Sequence, residues 1–111
     1  MAVATLLNAA SAPGPGAPYQ PPGGRPVYEG KAITASLTGT GQVTATLNIE
    51  VTIDPVNGPW VKLAQITLNG AAPQADGFSV TSLIWGWLRA NLIAISGSGA
   101  AATCAVGVLG V

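Results

Sequence analysis

From residue 43 to residue 54 apolar and polar side chains alternate without a break: Val43, Ala45, Leu47, Ile49, Val51 and Ile53 against Thr44, Thr46, Asn48, Glu50, Thr52 and Asp54. A two-residue period puts all the apolar side chains on one face of an extended strand, whereas a helix would scatter them around its circumference. A strand with one dry and one wet face belongs in an antiparallel sheet, the kind that can leave a face in water. The same alternation runs through Ile33, Ala35 and Leu37 against Thr34, Ser36 and Thr38. Gly39-Thr40-Gly41 reads as a tight turn between these two strands. Asp54-Pro55-Val56-Asn57-Gly58-Pro59 reads as the turn that closes the long strand, with Asn-Gly supplying the positive φ.

Residues 60–68 form a further strand with a fault in its pattern. Val61 and Leu63 point one way, while Ala64, Ile66 and Leu68 point the other, which predicts a bulge near Leu63 or burial on both faces. Asn69-Gly70 ends this strand and Asp76-Gly77 opens the next unit. Strands are predicted over 78–83, 87–95 and 101–109, with Gly86 as a bend and Gly97-Ser98-Gly99 as the turn of a hairpin. No long stretch carries helical periodicity with caps. Short strands separated by glycine-rich turns predict an all-β fold, a small antiparallel β-sandwich or barrel. The periodicity leaves jelly-roll and immunoglobulin-like strand orders both open.

The first 30 residues have a different character. A short apolar opening, with Val3, Thr5, Leu6 and Leu7, gives way to Pro13, Pro15, Pro18, Pro21, Pro22 and Pro26 with Gly14, Gly16, Gly23 and Gly24 among them. Such a stretch makes neither helix nor central strand and predicts an extended, polyproline-type arm. The domain reading is therefore an N-terminal arm over 1–30 and a β-sandwich over 31–111. Residues 9–30 are expected to bury their apolar parts, Tyr19 and Tyr28 included, against a different chain. A linker or docking arm is preferred here to a ligand for a proline-reading domain.

Composition narrows the functional classes. The 111 residues carry four cationic and four anionic side chains and no net charge, with 49% of residues hydrophobic. So little charge favours association over a free monomer, and the expectation is a surface covered by other subunits. The absence of a basic cluster argues against nucleic acid as partner. Cys104 is the single cysteine, so no intramolecular disulfide forms and nothing points to secretion; it reads as a small core residue. Residues 90–111 are uncharged and long enough to raise a membrane span, but Gly97, Gly99, Gly107 and Gly110 favour strands over a spanning helix, and no membrane partner is expected.

The chain has no histidine, which removes the commonest general base and the commonest metal ligand together. No phosphate loop or dinucleotide fingerprint is present. Glu50 with Asp54 is a conceivable glycosidase-like pair, but both sit on the wet face of one strand, where solvated charge is the ordinary explanation. The expectation is a non-enzyme with no cofactor, no metal and no catalytic residue. Trp60, Trp85 and Trp87 are open to three readings: core packing, subunit contact, or an aromatic platform for a sugar. Arg89 is the only charge after Asp76, on the face of Trp85, Trp87 and Asn91 and opposite Leu88, Ala90 and Leu92. It reads as an edge charge that blocks strand pairing, as a guanidinium packed on a tryptophan, or as half of an inter-subunit ion pair.

Taken in order, Thr5-Leu6-Leu7-Asn8-Ala9, the strand over 47–54 of the type Leu-x-Ile-Glu-Val-Thr-Ile-Asp, Asn57-Gly58-Pro59-Trp60 with Leu63-Ala64, and Trp87-Leu88-Arg89-Ala90-Asn91-Leu92 followed by Ile95-Ser96-Gly97 resemble a family of small β-sandwich virion proteins of tailed bacteriophages. The resemblance covers the opening stretch and most of the chain after residue 30; the proline-rich arm departs from the simpler members. It implies a capsid decoration (cement) protein on the outer capsid surface of the virion, made in the host cytoplasm. Its partners would be the major capsid protein and copies of itself, as a trimer or dimer. A tail, neck or baseplate component and a carbohydrate-binding virion surface module are the alternatives. On this reading the contact residues are Leu6, Leu7, Pro13, Pro15, Pro18, Tyr19, Pro21, Pro22, Tyr28, Trp85, Trp87 and Arg89. Deleting residues 1–26 would leave a folded domain that binds shells more weakly.

Overall fold

The structure, a computed structural model, describes residues 2–19, 31–80 and 87–108. Among these the chain is all-β, built from six strands: β1 (Ala2–Ala10), β2 (Gly14–Pro15), β3 (Lys31–Thr52), β4 (Val61–Ala71), β5 (Gln74–Val80) and β6 (Trp87–Val108). They form one sheet in the order β1-β6-β3-β4, with β2 also beside β6 and β5 also beside β3, and every pairing is antiparallel.

The sheet is organised by β3 and β6, each 22 residues long and paired with each other from Lys31–Val108 to Thr52–Trp87. Strands in globular proteins usually run to about 10 residues at most. Each long strand is two ordinary ones joined at a bulged corner, where the register slips between Thr38 and Thr40 and again between Thr40 and Thr44. Gly39-Thr40-Gly41 and Gly97-Ser98-Gly99 sit at this corner, with Thr40 opposite Ser98. The two expected turns are therefore corrected: neither reverses the chain, and together they bend a continuous two-stranded ribbon. Gly97 has φ +120°, and a Cβ there would come within 2.8 Å of Val43 Cγ1 and 2.9 Å of the Gln42 carbonyl oxygen. Only glycine gives that backbone angle and that approach at once.

Before the corner β3 lies between β5 and the second half of β6, with β1 beyond; after it, β3 lies between β4 and the first half of β6, with β2 beyond. The alternation read from the sequence holds in both halves. Ile33, Ala35 and Leu37 are buried in the first, and Val43, Ala45, Leu47, Ile49 and Val51 in the second, with Ile66, Leu68, Leu88, Ala90, Leu92, Ala102, Cys104 and Val106 from their neighbours. All belong to a single hydrophobic cluster.

The pattern fails at one position. Ile53, expected on the dry face, is 75% exposed because β3 ends at Thr52. Thr52 is fully buried instead: its hydroxyl donates to the Asp54 carbonyl oxygen and accepts from the Asp54 N–H, each at 3.1 Å, so its burial leaves no polar atom unmatched. The expected bulge is present. Ile49 faces Ala64 and Glu50 faces Lys62, so Leu63 is the extra residue. Asn69-Gly70 and Asp76-Gly77, expected at element boundaries, lie inside β4 and β5.

Residues 2–19 are not a free arm. β1 pairs along β6 from Ala2–Val108 to Ala10–Ala102, and a bulge between Thr5 and Leu7 turns both Leu6 and Leu7 inward, at 2% and 7% exposure. Beyond β2, Gly16 N–H donates to the Ala90 carbonyl at 2.7 Å, and Tyr19 exchanges backbone hydrogen bonds with Leu88 at 2.8 and 2.7 Å. The segment expected to dock on another chain up to residue 19 is thus docked on its own β6, and it shares one sheet with 31–108. The expected contributions of Pro21, Pro22, Tyr28 and Trp85 lie outside the described residues.

Candidate functional site

The outward face of the half that follows the corner carries most of the polar chemistry. Glu50 on β3 stands directly opposite Arg89 on β6, and Lys62 on β4 opposite Glu50. The next row out is Gln65, Asn48 and Asn91. Directly opposed side chains on one sheet face are the pairs that interact. Arg89 Nε donates to Glu50 Oε1 at 2.7 Å, and Asn91 Nδ2 makes a long contact of 3.4 Å with Glu50 Oε2. Gln65 Nε2 donates to Asn48 Oδ1 at 2.9 Å, and Gln42 Nε2 to Asn69 Oδ1 at 2.8 Å.

The turn after β3 brings Trp60 to the same place. The Arg89 guanidinium carbon lies 4.2 Å from the centroid of the Trp60 ring, within reach of a cation–π contact. With side-chain exposures of 20% for Arg89 and 12% for Glu50, the pair is largely shielded from water. Four residues from three separate stretches, Glu50, Trp60, and Arg89 with Asn91, therefore form one cluster on the sheet surface.

The geometry bears on the three readings of Arg89. It is not an edge charge, because β6 here has β3 on one side and the 14–19 segment on the other. The guanidinium packs on a tryptophan, and it forms an ion pair with Glu50 of the same chain. Trp87 and Trp60 are both half-buried, and one face of the Trp60 ring is taken by Arg89. Of the other expected contact residues, Leu6 and Leu7 are consumed by the core and Tyr19 packs against it, while Pro13, Pro15 and Pro18 are exposed.

Glu50 and Asp54 do not act as a pair. Glu50 is held by Arg89, and Asp54 by its own turn: Asn57 Nδ2 donates to Oδ2 at 3.0 Å, Val56 N–H to Oδ1 at 3.0 Å and Asn57 N–H to Oδ1 at 3.2 Å. These bonds, that from the Asn57 side chain first, hold the Asp54 carboxyl below its ordinary value. Cys104 is fully buried, and desolvation pushes its thiol from 9.0 to about 11, which suits a packing role. Among the described residues no group of three or more His, Cys, Asp or Glu side chains is placed to hold a metal ion, and no helix is long and apolar enough to cross a membrane. An open hollow of about 430 Å³ lies between β1 and the Gly16-Ala17 segment, lined by backbone and by small or apolar side chains around Asn8 and Thr5.

Sequence reasoning missed one surface. Ile53, Val56, Val61 and Leu63 are exposed large hydrophobics, all within the end of β3, the turn and the start of β4. The broken alternation at 61–64 was its one visible signal. Comparison with family models, with curated proteins and with solved structures gives no match.

Proposed function

We propose that the chain is a structural virion protein of a tailed bacteriophage, a capsid decoration protein that binds the outer shell built by the major capsid protein and stabilises it. One observation carries this reading. Three of the four stretches that resemble that family are far apart in the chain, yet their polar and aromatic residues converge: Glu50 from the strand over 47–54, Trp60 from the turn after it, Arg89 and Asn91 from the strand over 87–92. Motifs that meet to lock a sheet surface are what a rigid structural module would retain.

On the same reading the two halves of the bent sheet are the two leaves of a small β-sandwich, with inward faces sharing one core. A decoration protein resists outward pressure by bridging neighbouring capsid subunits, so it needs a stiff body and contact surface of low charge. The stiffness here comes from β3 and β6, which cross the corner without interruption, and from the side-chain hydrogen bonds laid across the outer face. Because β1, β2 and Tyr19 are docked on β6, residues 2–19 would contribute to the shell contact as part of the folded body.

The test is a cryo-electron microscopy map of the particle in which the chain is traced. Copies on the outside of the shell at local two-fold or three-fold axes are the expected result. A ring of copies in the tail or neck would replace this reading with that of a tail component, and absence from the particle would refute both.

A further inference from the structure

We propose that the hairpin end formed by residues 53–63 is a docking surface for a second copy of this chain, the two related by a two-fold axis. The inference needs only the chemistry of this surface and does not rest on the virion reading.

Four of the five exposed large hydrophobics among the described residues lie here: Ile53 at 75%, Val56 at 87%, Val61 at 49% and Leu63 at 41% exposure. Each is exposed for a reason built into the strands. Ile53 lies just past the end of β3, and Val56 is in the turn. Val61 is opposite the buried Val51, on the core face, but on the outermost strand of the order β1-β6-β3-β4. Leu63 is the extra residue of the bulge. At these exposures the four leave on the order of 400 Å² of apolar surface, as much as the largest patch on a typical monomer, which is often functional. Among the described residues no strand pairs with β4 on its far side, and an apolar edge strand left open invites pairing with another chain.

The charges name the occupant. The patch holds one anion and one cation, Asp54 near its start and Lys62 near its end. It therefore has no net charge with which to draw nucleic acid or an acidic or basic peptide. It is, however, complementary to itself: a two-fold axis sets Lys62 of each copy toward Asp54 of the other, as an isologous interface requires. The apolar area of two such patches is roughly 800 Å², below the size of a standard stable interface, so the dimer is weak and reversible.

Sedimentation velocity of the full chain, from about 1 to about 100 μM, tests this, since a contact of this size dissociates near the micromolar range. A monomer–dimer equilibrium is expected. Val56→Lys and Leu63→Lys, each confirmed as folded by circular dichroism, should weaken the dimer at least tenfold, and Lys62→Glu should weaken it too. Ile93→Lys, at the one exposed large hydrophobic outside the patch, should leave it unchanged. A monomer throughout the range, a dimer indifferent to the patch variants, equal weakening by Ile93→Lys, or growth past the dimer into open chains would each overturn the proposal.

Discussion

If the glycine triplets bend a continuous ribbon, replacing Gly97 by alanine should be among the most damaging single changes in the chain. Two costs add. The φ of +120° is one that an L side chain rarely adopts, and holding it there costs about 1–3 kcal/mol. The new Cβ would also stand 2.8 Å from Val43 Cγ1 and 3.0 Å from Val43 Cα, and Val43, at 1% exposure, is packed in the core and cannot retreat freely. Overpacking of that kind costs about 1–3 kcal/mol. The sum is about 4 kcal/mol, against a typical total of about 5–15 kcal/mol for a domain. Gly99 is the internal control. It has φ +66°, but a Cβ there meets nothing within 4 Å, so Gly99→Ala carries only the left-handed backbone cost of about 1–2 kcal/mol. Urea unfolding followed by tryptophan fluorescence separates the two: at a slope of about 2 kcal/mol per molar, Gly97→Ala should lower the midpoint by about 2 M and Gly99→Ala by about 0.5–1 M. If Gly97–Gly99 were the tip of a free hairpin, the two alanines would cost about the same. Equal shifts would refute the corner.

Arg89→Ala leaves Glu50 in a shielded site without its charged partner and should cost about 2 kcal/mol, between the values for exposed and fully buried pairs. Arg89→Lys should recover only part of this, since lysine lacks the planar group that lies over Trp60, and neither change should alter sedimentation; weakened association with unchanged stability would return Arg89 to a subunit contact. The raised Cys104 thiol keeps its proton in the folded chain while the unfolded chain begins to lose its own near pH 9, so its contribution to stability is intact below pH 9 and is lost as pH rises to about 11. Urea midpoints across that range should fall more steeply for the native chain than for Cys104→Ala. Deleting residues 2–19 removes Leu6, Leu7 and Tyr19 from the core and uncovers one side of β6, so the remainder should lose its cooperative melting transition; a sharply melting truncated domain would restore the arm reading.

What was legible in the sequence is what local spacing encodes. The strand at 43–51 and the bulge at Leu63 come from the two-residue period and from its one interruption, and both follow from side chains alternating across a sheet that is dry on one face. The period also put Glu50 on the wet face of its strand and Arg89 on the face opposite Leu88, Ala90 and Leu92. It could not put them together, because their meeting depends on the register between strands 39 positions apart. The glycine triplets were misread for the same reason. Gly-x-Gly looks alike locally whether a chain reverses or a paired ribbon bends, and the difference lies in the partner strand. In the N-terminal segment the prolines correctly ruled out helix and central strand, since β2 is a two-residue strip beside β6. Composition does not reveal that a few backbone hydrogen bonds to Leu88 and Ala90 suffice to fix such a strip in place.

The end-to-end pairing of β3 with β6 also dictates an order of assembly. The residues it joins are 35 positions apart at Thr52–Trp87 and 77 apart at Lys31–Val108. The β3–β4 hairpin closes over a short loop, from Val51 to Val61, and is the cheapest piece to nucleate. β6 can then zip along β3 from the Thr52 end towards the corner and past it. Among the described residues β1 and β2 pair only with β6, so these two strands are the last to find their places. Contacts of this span put folding in the slow, millisecond-to-second class of β proteins. During that interval the apolar face of β3 is without its cover, and a chain released into a crowded cell would be exposed to aggregation until its final strand was in place.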